Sequence, residues 1–141
     1  VAAGRFGLAG GAASYFGLVF AAGFALGTVR TLLLVPHVGE RWAELLETPL
    51  MLLASGLAAR FVTARLTAPT AGRCLCLGAA ALGLMLAAEA GVVLAVRGES
   101  LAAYAARRNP LAGSVYLLAL AFFAACPWWV RPRPAKDRAA P

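Results

Sequence analysis

His37, Glu40, Glu44 and Glu47 stand in a chain that has only six acids among 141 residues. Their spacing is its first chemical signal. If residues 37–47 are helical, the 100° step per residue places all four within an arc of about 80°. Imidazole and carboxylate suit zinc, manganese or iron, so this face is a candidate metal site and, with a metal, a candidate enzyme site. The set contains the one His of the chain and no second HxxE or ExxH pattern. Gly39 weakens the helix by about 1 kcal/mol relative to alanine. A second constellation draws on Arg30, Glu47 and Glu89, each at or inside the edge of a long apolar run. A carboxylate raised toward neutrality by burial can relay protons or bind a cation. An arginine facing it can equally lock helices in register, since intramembrane charges need partners.

The elements that must position these groups follow from composition. Hydrophobic residues make up 62% of the chain and charged residues 13%, against roughly a quarter charged in an ordinary soluble domain. Six acids and thirteen bases cannot cover the exterior of a water-soluble domain this size, so the chain reads as one membrane domain. The formal charge of +7 does not indicate nucleic acid. The bases sit between apolar runs and in the tail, as topology signals do, and form no stripe interleaved with aromatics.

About twenty apolar residues cross a hydrocarbon core as a helix. Four spans meet that criterion, at residues 6–30, 49–66, 74–96 and 111–130, within a transmembrane domain over 1–130. The first, charge-free from Phe6 to Val29, is longer than the apolar region of a secretory signal and is expected to be retained. Val1 in place of Met implies a processed or trimmed start. Thr48 and Pro49 suit the N-cap and first turn of the second span, although a kinked helix continuing back to Pro36 is left open. Arg60 and Arg65 can extend their stems to the interface at its other end. Glu89 interrupts the third span, and Trp128 and Trp129 close the fourth at an interface. Residues 131–141 form a basic, Pro-rich tail. Arg5, Arg60, Arg65, Arg73 and the tail's four bases outnumber the five of the opposite side, which Glu40, Glu44, Glu47 and Glu99 partly offset. The positive-inside rule therefore predicts both termini in the cytoplasm. The expected fold class is all-α, an integral membrane four-helix bundle.

In the first span Gly23 and Gly27 form a GxxxG pair, and Gly17 belongs to a path of small residues spaced by three or four. Such a face lets helices approach closely, within the bundle or against a partner. Cys74 and Cys76 point about 200° apart on a helix and cannot pair. With Cys126 they fall on the reducing side and read as structural. Ser100 can cap a short amphipathic segment outside the membrane. Tyr104, Asn109 and Tyr116 can add neutral hydrogen-bonding groups to the Arg30, Glu47 and Glu89 level. No Ser-His-Asp set, nucleophile elbow, P-loop or Rossmann pattern is present, and no cofactor is specified beyond the candidate metal face.

The runs "GTVRTLLLVPHVGERWAELLETPLML" and "AAEAGVVLAVRGESLAAYAARRNPLAG" resemble small four-span membrane proteins of unknown function in proteobacteria. That resemblance implies a bacterial inner membrane and carries no reaction. Three functions remain open: a non-enzymatic bundle or accessory subunit, a small oligomeric proton- or cation-coupled transporter or channel, and a metal-dependent membrane enzyme. The expected partners are the lipid bilayer and other membrane subunits or further copies of the chain.

Overall fold

The computed structural model describes residues 5–98, 100–107 and 110–133. Helix α1 (Leu8–Val29) runs without a break into a wide π-helical turn over Arg30–Leu34 and then α2 (Val35–Val38). The turn widens ahead of Pro36, which has no N–H for the Leu32 carbonyl and whose ring needs space. Val35 N–H reaches back five residues to Arg30 O. Gly39, at φ +83°, then takes a backbone conformation that other residues adopt only with strain. It separates α2 from α3 (Glu40–Arg65). After a short loop come α4 (Ala71–Val92), a second wide turn over Val93–Arg97, α5 (Leu101–Arg107) and α6 (Pro110–Val130). Thr70 caps α4, accepting from Arg73 N at 3.4 Å. Ser100 Oγ accepts from Ala103 N at 3.1 Å at the head of α5, as its sequence position predicts.

Among the described residues four helical stretches are long and apolar enough to cross a membrane: Leu8–Val38, Glu40–Arg65, Ala71–Val96 and Gly113–Val130. Two of these run beyond their expected ends. Arg30 does not finish the first stretch but opens the wide turn inside it. The second starts at Glu40, so Thr48 is not an N-cap and Pro49 lies within α3. Thr48 Oγ1 donates back to Glu44 O at 3.1 Å instead. The helix continues through Pro49 because leaving it in apolar surroundings would strip several backbone groups of partners, whereas one proline strips one.

Helix α1 packs against α3 and α4, and α6 packs against the same two. The bundle therefore runs α1, α3, α6, α4 around its axis, with α3 and α4 on opposite corners although they are consecutive. Across the other diagonal, Tyr15 of α1 donates from its hydroxyl to Phe123 O of α6 at 2.7 Å. Their rings stack with centroids 4.5 Å apart. Ala59 and Val62 of α3 and Leu77 and Ala81 of α4 close the core around this pair. At the same end Phe6 N donates to Arg65 O at 2.8 Å and Thr67 N to Phe6 O at 3.0 Å, which ties the start of α1 to the end of α3. Large apolar side chains cover the outside: Phe24 is 73% exposed, Leu118 71% and Leu32 68%. In water such a surface would aggregate; against acyl chains it is the expected one.

The well-packed core fills only half of the bundle. Its buried side chains belong to the N-terminal part of α1, the C-terminal part of α3, the N-terminal part of α4 and the C-terminal part of α6. The other half, where Arg30 and Glu47 stand, is hollow.

Candidate functional site

A cavity of about 740 Å³ occupies that half and is lined by all four long helices together with Tyr104 of α5. Its floor is Val19, Ser55, Met85 and Phe123, directly above the Tyr15 and Phe123 stack. The walls carry Phe20, Phe24, Met51 and Leu120, and the charged groups gather toward the open end. Glu47, Met51 and Ser55 follow one another at intervals of four along α3, a single inward stripe that descends about 12 Å from carboxylate to floor. Met85 and Glu89 repeat the pattern on α4. Each stripe sets a carboxylate one turn above a methionine, and Ser55 ends the one on α3.

Arg30 and Glu47 form the ion pair of this site, Nη1 to Oε2 at 3.0 Å, with side chains 30% and 13% exposed. The guanidinium N–H is not aimed along that line, and Glu47 Oε2 has no directed hydrogen bond among the described residues. Charge rather than hydrogen-bond geometry holds the contact. Glu89 lines the same cavity but takes a different partner: its Oε2 accepts from the Tyr116 hydroxyl of α6. Arg30, Glu47 and Glu89 thus share one cavity, with the arginine on Glu47 and a neutral phenol on Glu89. Tyr104 and Tyr116 both reach the cavity. Asn109, Glu99, Arg108 and the tail from 134 to 141 lie outside the described residues.

The candidate metal face separates. His37 belongs to α2, and the positive φ of Gly39 breaks the helical phase that would align it with the glutamates. Its Nδ1 is 2.7 Å from Leu33 O on an exposed surface. Glu40, Glu44 and Glu47 line the cavity, but among the described residues no three His, Cys, Asp or Glu side chains come together as a metal-holding group. The glycines also divide. Gly23 faces Met51, where an added Cβ would lie 3.3 Å from Cε, whereas Gly17 and Gly27 have nothing within 4 Å. The tightest approach involves a glycine that the GxxxG pattern does not single out: a Cβ on Gly78 of α4 would overlap the Ala124 carbonyl of α6.

No family model, curated protein or solved structure matches the chain. The cavity and its charges are therefore the ground for a functional reading. Sequence reasoning missed its depth for one reason. Starting the second span at Pro49, with its continuation back to Pro36 left undecided, cut Glu47 off from Met51 and Ser55, and the inward stripe becomes visible only when α3 is carried back to Glu40. Both wide turns went unread as well. They stand where α1 and α4 meet the cavity, with Arg30 and Val93 as their first residues and as lining, and π-type turns recur at functional positions.

Proposed function

We propose that the chain is a non-enzymatic, multi-pass protein of a bacterial inner membrane that works as a small carrier. Both termini face the cytoplasm and the charged cavity opens near the outer leaflet. The observation that carries this reading is the cavity itself, a chamber between four helices whose lining combines four carboxylates with aromatic and thioether side chains. Its size falls among small-molecule sites, which run to roughly 300–1,000 Å³. In a membrane, an inward carboxylate in a hollow wall is the usual mark of an ion or substrate path. A chamber closed by a packed core on one side, as here by Tyr15 and Phe123, suits a carrier better than an open pore. Glu89 is the central exchangeable group, and Glu47 is held in reserve by Arg30.

The test is flux in proteoliposomes. Vesicles holding the wild-type protein should dissipate an imposed proton or monovalent-cation gradient faster than protein-free vesicles, and Glu89→Gln should return the rate to background. A wild-type rate equal to that of empty vesicles would end the carrier reading.

One observation supports a second role, as a subunit of a larger assembly. Gly17 and Gly27 leave an open small-residue surface on α1 that a helix from another chain can approach closely. Mass measurement in mild detergent distinguishes the two: a single copy isolated with nothing else would remove the subunit role.

A further inference from the structure

We infer that the cavity is a binding site for amphiphilic cations, an ammonium-type head on an apolar body, with Glu89 as the counter-ion. The inference rests on the reading of this cavity as a ligand site and names what it takes. The lining fits such a molecule part by part. Among the described lining residues four are carboxylates and two are arginines, and Arg30 is already engaged by Glu47. With that pair kept, an anionic head would meet Arg41 against three further carboxylates, Glu40, Glu44 and Glu89. A cationic head faces no such opposition: it meets a carboxylate whose described partner is the neutral Tyr116 hydroxyl, and it can leave that hydrogen bond in place.

The depth of the site favours an apolar body attached to that head. Beside and below Glu89 the surface is largely aromatic and thioether, from Phe20, Phe24, Phe123, Met51 and Met85. Phenyl faces attract a desolvated cation, and methionines adapt to bodies of varied shape. Access is lateral. Phe24 lines the cavity and is also largely exposed on the apolar exterior of α1, so a molecule already partitioned into lipid can enter past it without crossing water. The cation can come from an aminophospholipid or from a free lipophilic amine; the chemistry recognised is the same.

Calorimetric titration of the full chain in nanodiscs of phosphatidylglycerol, which carries no ammonium group, tests this without depending on flux. The probes share a decyl chain: decyltrimethylammonium, decanol and decyl sulfonate. Saturable binding of the cation to the wild-type protein is expected, about tenfold or more tighter than that of the alcohol or the anion after subtraction of empty-disc partitioning. Glu89→Gln should weaken the cation about 10- to 100-fold while leaving the alcohol unchanged, and Leu118→Ala on the lipid face should change neither. Equal affinities across the three heads in the wild-type protein would overturn the inference, and this comparison does not depend on any variant folding. Adding phosphatidylethanolamine to the discs separates the sources: competition with the probe assigns the site to a lipid amine, and its absence to a free one. Flux without cation binding would overturn this inference alone, whereas cation binding without flux would overturn only the carrier reading.

Discussion

Arg30 and Glu47 stand 3.0 Å apart with most of each side chain withdrawn from solvent, so removing either leaves the other charged in a poorly hydrated wall. Full burial would set that cost at about 3–5 kcal/mol. Partial exposure of both groups lowers the expectation to about 1–3 kcal/mol for Arg30→Ala or Glu47→Ala. The double variant should lose less than the sum of the singles, because it strands no charge. Unfolding of the three variants in one mild detergent checks this, and strict additivity would show that the pair is not coupled. Tyr116 poses a different question, since its hydroxyl donates to Glu89. Tyr116→Phe leaves a carboxylate with one fewer donor. It should weaken helix association by about 1.5–3 kcal/mol, the range for a hydrogen bond to a charged group, while retaining cation binding, because the counter-ion remains.

At the scale of elements, α3 carries the most unexpected arrangement, a proline within a helix that supplies acids to the cavity above and core side chains below. Pro49 offers no N–H to the Leu45 carbonyl, and a proline in a helix interior costs up to about 3 kcal/mol. Pro49→Ala should accordingly raise the midpoint of thermal unfolding, with a gain of about 1–3 kcal/mol. An unchanged or lower midpoint would show that the surroundings have absorbed the defect. The contact of α4 with α6 depends on Gly78, over which the Ala124 carbonyl sits too close for any side chain. Gly78→Val must push the two helices apart, for a loss of about 1–3 kcal/mol, whereas Gly17→Ala, inside α1 with nothing within 4 Å, should stabilise the isolated chain by about 0.5–1 kcal/mol through helix propensity alone. If Gly17→Ala instead dissociates an oligomer, the open face of α1 is an interface between chains.

For the whole molecule, the prediction that matters most is orientation. The proposed cytoplasmic placement of both termini would put Thr67, in the loop between α3 and α4, on the same side as Arg5 and Arg131, and α5 on the other. With Cys76 replaced, Thr67→Cys should resist a membrane-impermeant maleimide in intact cells and Ala102→Cys should react. The reverse pattern would invert the topology and move the cavity to the cytoplasmic leaflet. The same division explains the shape of the bundle. A packed core at the basic end and a hollow at the acidic end follow from where small and aromatic side chains interlock, around Tyr15, Ala59, Leu77 and Phe123, and from where charged stripes hold helices from closing. The amino-acid sequence alone determined the all-helical class and the four apolar stretches, because apolar run length is a property of consecutive residues. It also brought Arg30, Glu47 and Glu89 forward, because charges are rare in such runs. Tertiary structure decided what a linear pattern does not encode. It placed Arg30 on Glu47 and Tyr116 on Glu89, and it separated His37 from the glutamates through the backbone of one glycine. Above all it left a chamber beneath the acids, since a cavity depends on the distance between helices, and that distance is set by side chains far apart in the chain.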